Sequence, residues 1–148
     1  MLSGENMYAV IRIRGTVNIA PDISKTLELL NLKRVNNLSI FQETEQTTKM
    51  IKTAQDYATY GKISEATLKE LIEKKALPAK EGQKIDAKKV VAELTKGKTP
   101  NEAGIRNLFK MSPPRGGYER KGIKLAFKLG GAAGNRGEKI NDLVVRMM

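Results

Sequence analysis

The chain has 148 residues, 40% of them hydrophobic and 29% charged, which is enough material for one domain that folds on its own. Lys and Arg total 27 against 16 Asp and Glu, and the resulting net charge of +11 points toward an anionic partner. The lack of Cys and His excludes disulfides, thiol nucleophiles, Cys-rich zinc or iron–sulfur sites and every Ser-His-Asp triad.

Tyr8 to Arg14 alternates, with Ala9, Ile11 and Ile13 on one face and Arg12 and Arg14 projecting from the other, as a half-buried strand requires. Gly15 marks its end. Pro21-Asp22 opens a helix that Asp22 is placed to cap, with Ile23, Leu27 and Leu30 along its buried side. The turn-like Asn36-Asn37 precedes a second strand from Leu38 to Gln42. Thr44 is placed to cap a second helix that turns Met50, Ile51 and Ala54 inward. Tyr57 to Ile63 has strand character, and Gly61 signals the close approach of another backbone. The order strand-helix-strand-helix-strand, joined by short right-handed connections, predicts a small α+β, ferredoxin-like sheet covered by helices on one face.

Beyond Ile63 the pattern turns helical. Ser64 is placed to cap a helix with Leu68, Leu71 and Ile72 inward, stopped by Pro78. Asp86 caps another, with Val90, Val91 and Leu94 buried and Gly97 at its end. Thr99-Pro100 opens a third, whose stripe of Ile105, Leu108 and Phe109 runs until Ser112-Pro113-Pro114. Arg115 to Gly137 reads as loops, with one short extended piece near Ile123 to Leu129. Ile140, Leu143, Val144 and Met147 match a closing amphipathic helix. The expected organisation is a core over 1–63, a helical segment over 64–111, and basic Gly-rich loops with a final helix over 112–148.

Charge is distributed unevenly. Residues 106–148 carry 10 basic and 3 acidic side chains and 7 of the 13 glycines, whereas residues 1–61 carry 7 basic and 6 acidic. Within Ser112-Pro113-Pro114-Arg115-Gly116-Gly117-Tyr118-Glu119-Arg120-Lys121-Gly122, the prolines deny the backbone a helix and the glycine pair lets main-chain N–H groups approach an anion. Arg115, Arg120 and Lys121 add phosphate-gripping charge, which Lys124 and Lys128 continue. A solvated basic loop without a partner is the bland alternative, and the clustering with glycine argues against it. In Leu129-Gly130-Gly131-Ala132-Ala133-Gly134-Asn135-Arg136-Gly137, small side chains permit close packing and Arg136 stands where a phosphate could meet it. The spacing does not fit a dinucleotide loop. Seven scattered aromatic residues are too few for a reader that stacks several bases, so recognition should depend on phosphates, sugar hydroxyls and folded shape.

These segments resemble, in order, the large-subunit ribosomal protein family called L-thirty in bacteria and archaea and L-seven in eukaryotes. The matching pieces include Tyr8-Ala9-Val10-Ile11-Arg12-Ile13-Arg14-Gly15, Thr26 through Asn36, Met50-Ile51, Ser112-Pro113-Pro114-Arg115-Gly116-Gly117 and Gly130 through Arg136. The closing Ile140-Asn141-Asp142-Leu143 with Arg146-Met147 fits as well. The N-terminus carries no long basic arm, which favours the archaeal type, and no basic region followed by an apolar stretch, which argues against a secretory signal. Thr48-Lys49 stands where the family often has Arg-Gly, leaving Lys49 as the sole cation there, and Tyr60-Gly61 stands where longer members tend to have Trp-Gly.

The resemblance implies a non-catalytic constituent of the large ribosomal subunit in the cytoplasm, without cofactor or metal. Its implied partners are the large ribosomal RNA, the 5S RNA and neighbouring ribosomal proteins, with no membrane. The candidate RNA contacts are Lys33, Arg34, Lys49, Arg115, Gly116, Gly117, Arg120, Lys121, Lys124, Lys128, Asn135 and Arg136. Two rival readings are a general polyanion or anionic-membrane-surface binder, which needs an amphipathic helix with a dense basic face, and a Ser-Lys enzyme around Ser64 or Ser112.

Overall fold

A computed structural model describes residues 7–14, 20–42, 45–55, 57–75, 86–95, 105, 107–111, 114, 127, 131 and 133–147. Strand β1 (Met7–Arg12) is followed by helix α1 (Pro21–Leu29), β2 (Asn37–Gln42), α2 (Glu45–Thr53) and β3 (Ala58–Lys62). Helices α3 (Glu65–Lys75) and α4 (Ala87–Thr95), strands β4 (Phe109–Lys110) and β5 (Gly134–Asn135), and helix α5 (Ile140–Met147) complete the described chain.

The sheet order is β4-β2-β1-β3-β5. β1 lies between β2 and β3 and is antiparallel to both, so β2 and β3 run the same way with α2 connecting them across β1. This is the split β-α-β arrangement of a ferredoxin-like sheet. β4 joins the β2 edge antiparallel and β5 joins the β3 edge parallel.

Alternation along β1 sends its side chains into two separate cores. Met7, Ala9, Ile11 and Ile13 join Leu38 and Ile40 of β2 under Leu68, Leu71 and Ile72 of α3, Val90 and Leu94 of α4, and α5. Val10, on the other face, belongs with Leu27 of α1 and Leu30 at its C-cap, Ile51 of α2 and Ala54 just after it, and Tyr60 of β3. Helices therefore cover both faces, not one, because α3, α4 and α5 need a surface for their own apolar stripes. Arg12 is correspondingly buried, at 3% exposure, instead of projecting into solvent from a half-buried strand.

Two helix starts follow the local chemistry, and the expected cap of α2, Thr44, lies outside the described residues. Ser64 caps α3 by accepting the Thr67 N–H at 3.3 Å, and Asp86 caps α4 by accepting the Lys88 N–H at 3.1 Å. In α1 the cap position is Ala20, without a side-chain bond, while Pro21 opens the helix and Asp22 lies in its first turn. All four expected residues of α5 are buried. The stripe Ile105, Leu108, Phe109 does not form the end of a helix, because Phe109-Lys110 is strand paired with Leu38 and Asn37. Gly134-Asn135, expected within loops, is also strand. The expected extended piece over 123–129 lies outside the described residues except for Phe127.

Gly61 provides the predicted close approach. A Cβ there would collide with the Gly137 carbonyl oxygen and lie 2.9 Å from the Ile140 Cβ. Gly61→Ala should therefore cost about 1–3 kcal/mol, and a thermal melt should show a transition lower by several degrees. Burial also raises the pKa of the Tyr60 phenol above its ordinary value. The unfolded chain then ionises first, so stability is present below about pH 10 and lost as pH rises through the folded pKa. Tyr60→Phe should flatten that alkaline loss in urea melts, and an unchanged pH dependence would refute the assignment.

Candidate nucleic-acid interface

With both sheet faces covered, charge is left to the helix exteriors, the short edge strands and the ends of the sheet. At one end β1 finishes at Arg12 while β2 and β3 begin, since Arg12 pairs with Ala58 and Ile11 with Leu38. Helix α1 stops at this end in a left-handed cap. Asn31 has φ 60°, its N–H donates to the Glu28 carbonyl at 3.0 Å, and the Leu32 N–H donates to the Leu27 carbonyl at 2.8 Å. Leu32 is buried, Lys33, Arg34 and Val35 are exposed, and Asn36, with φ 68°, returns the chain to the sheet. The Asn37 N–H donates to the Arg34 carbonyl at 3.3 Å and closes the turn.

Further cations gather nearby. Lys110 is exposed on β4 opposite Asn37. Arg14 lies over the Tyr57 ring, its Cζ 4.6 Å from the centroid. The Met111 N–H donates to the Asn36 carbonyl at 3.1 Å, so the chain enters the 112–122 segment from beside this turn. Arg115, Gly116, Gly117, Arg120, Lys121, Lys124 and Lys128 lie outside the described residues.

Three other candidates lie among the described residues, two of them at the β3–β5 edge of the sheet. Lys49 is highly exposed on α2 and pairs with Glu45 at 3.5 Å, an (i, i+4) contact worth about 0.3–0.5 kcal/mol at most. Asn135 is exposed, and its Oδ1 accepts the Gly137 N–H at 2.9 Å. Arg136 is only 5% exposed. Its Nε donates to the Thr59 Oγ1 at 2.8 Å, and the Thr59 hydroxyl donates to the Gly134 carbonyl at 3.0 Å. The Arg136 guanidinium and the Lys139 ammonium both lie over the Phe127 ring, at 4.9 and 5.4 Å from its centroid. In this structure Arg136 holds β5 against β3.

Sequence reasoning overlooked Lys110, a single cation on a two-residue strand, and Asn107. The Asn107 Oδ1 accepts the Ile40 N–H at 2.8 Å, and its carbonyl accepts the Ser39 hydroxyl at 3.3 Å. No local signal marks Asn107, because its partners lie nearly seventy residues away in the chain. Ser64, the candidate nucleophile of the enzyme reading, spends its hydroxyl on Thr67 in the α3 cap.

The sequence pattern of the family described as Ribosomal protein L30p/L7e matches residues 8–58. The large ribosomal subunit protein uL30 of Nanoarchaeum equitans is 43% identical, with 95% of this chain and 97% of that protein covered. Those of Methanococcus maripaludis and Aeropyrum pernix are 41% and 37% identical over 95% and 96% of this chain and 99% of each relative. The chain belongs to the large ribosomal subunit protein uL30 family. That is a family of structural proteins, not of enzymes. The uL30 relatives match nearly end to end, so the kinship takes in α3 to α5 as well as the first three strands. Among the described residues, no cluster of three or more carboxylates could hold a metal ion, and no helix is long and apolar enough to cross a membrane.

Thr59→Val should leave the buried Arg136 Nε without its acceptor and cost about 1.5–3 kcal/mol. Chemical denaturation of the variant measures that loss directly, and wild-type stability would show that Thr59 is dispensable.

Proposed function

We propose that this chain is a structural constituent of the large ribosomal subunit that binds large-subunit ribosomal RNA through phosphate and shape contacts. The observation that carries the reading is the prefolded turn at Lys33 and Arg34, exposed beside Lys110 at the one sheet end from which the chain enters the basic 112–122 segment. Backbone-defined cations at a sheet end fit a folded polyanion, where phosphate contacts give affinity and geometry gives register. In this reading residues 1–63 set position, 64–111 cover the second sheet face, and 112–148 supply most of the neutralising charge. Arg115, Arg120, Lys121, Lys124 and Lys128 meet phosphates, the Gly116-Gly117 backbone approaches them, and Lys49 and Asn135 add outlying contacts. Arg136 acts from within by holding β5. Contacts with the 5S RNA and with neighbouring ribosomal proteins in the subunit belong to the same proposal.

The membrane-surface alternative needs an amphipathic helix with its apolar face free. Helix α5 spends Ile140, Leu143, Val144 and Met147 on the core, which disfavours it.

Binding of the full chain to overlapping large-subunit RNA fragments should weaken with salt, each phosphate contact adding a log–log slope of about −0.7 to −0.9. Arg115→Ala/Arg120→Ala/Lys121→Ala should reduce both the affinity and that slope. A flat salt response would remove the proposal, and a triple variant that binds like wild type would move the contact elsewhere.

A further inference from the structure

The turn that exposes Lys33 and Arg34 is held by a residue that solvent hardly reaches. Arg12 lies on the sheet face under α1, and its Nη1 donates to the Leu32 carbonyl at 2.9 Å, the oxygen of the peptide unit leading into Lys33. Its Nε donates to the Arg14 carbonyl at 2.9 Å. Its own carbonyl accepts the Asn36 N–H at 2.8 Å. One residue thus ties the first and last anchors of the three-residue exposed segment 33–35, its side chain holding one and its main chain the other. A guanidinium presents its donors at fixed angles in a plane, so the two carbonyls it bridges are held in a defined relation.

Core filling does not account for an arginine here. Burial lowers its pKa, which means the charged form is penalised. Nη2 is buried without a hydrogen-bond partner. Among the described residues, no carboxylate forms an ion pair with it. An apolar side chain would fill the same space without these costs. What the apolar side chain would lack is the grip on Leu32 and Arg14.

We infer that Arg12 is a positioning residue for RNA binding, one that fixes where the cations at 33 and 34 stand without itself meeting the ligand. This rests on the reading that Lys33 and Arg34 contact RNA. Preorganisation of this kind raises affinity by removing the entropy otherwise lost when a loop orders on its partner.

The test uses the full chain and the tightest-binding large-subunit RNA fragment. Lys33→Ala/Arg34→Ala should weaken binding about tenfold or more, since each tenfold is 1.4 kcal/mol and two phosphate contacts are lost. Arg12→Lys keeps the charge but cannot span both carbonyls, and Arg12→Met keeps only the stem. Both should remain folded by circular dichroism, lose several-fold in affinity, and show faster amide exchange at Asn36. Added to the 33/34 double substitution, either should cost little more, because the contact they position is already gone. Additive losses, or Arg12 variants that bind like wild type while the double substitution weakens binding, would overturn the inference and leave the proposed function standing. A wild-type chain without affinity for the RNA would sink the proposed function itself, and this inference with it. Should the Arg12 variants fail to fold, Val35→Gly against Val35→Ala replaces them. Val35 is exposed, so both fold, and the looser glycine should bind about threefold more weakly than alanine, the extra backbone freedom of glycine being about 0.5–1 kcal/mol. Equal affinities would overturn the inference.

Discussion

Strand β1 is buried on both faces, and the rest of the molecule follows from having to cover it twice. Its odd residues from Met7 to Ile13 and its even residue Val10 enter different cores, so helices must lie above and below. The strand has neighbours on both sides, which leaves it no free edge either. Charge in such an architecture goes to helix exteriors, to the short edge strands and to the ends of the sheet. The last of these concentrates Lys33, Arg34 and Lys110 beside the point where the chain enters its most basic segment.

Arg12 sits at that same end, and its energetics explain little in terms of stability. Two hydrogen bonds from a charged group contribute about 1.5–3 kcal/mol each. Desolvating a guanidinium costs several kcal/mol, and an unpartnered buried nitrogen adds about 1–3 kcal/mol to that cost. The opposing contributions are of similar size. What remains is geometry, the defined path of the chain between Leu32 and Asn36, which a hydrophobic residue could not supply.

The second arginine-centred arrangement works the other way round. Arg136 stands in a glycine-rich run, yet it lies inside the fold, bonded to Thr59 and placed over the Phe127 ring. Its neighbours explain the small residues around it. Gly134 and Gly137 take positive φ, and Gly61 on the facing strand lets the Gly137 backbone and Ile140 approach. Close packing of a C-terminal strand and helix on β3 is thus one use of a sequence whose composition alone suggests an anion loop.

Elements with a local signal are legible in the order of the residues alone. The β-α-β-α-β order, the buried stripes of α1 to α5 and the caps at Ser64 and Asp86 all depend on neighbours a few residues apart, a glycine inside a strand pattern marks Gly61 as a crowded position whose partners lie far off in the chain, and the ordered motifs point to the family. The tertiary structure alone decided that helices cover both faces, that Phe109-Lys110 and Gly134-Asn135 are edge strands, that Arg12 and Arg136 turn inward, and that Asn107 caps Ile40. Each of these depends on a partner distant in the chain, such as Thr59 for Arg136, 77 residues away. A two-residue strand or a lone arginine carries no periodicity that distinguishes an inward side chain from an outward one, so only the arrival of that partner settles which it is.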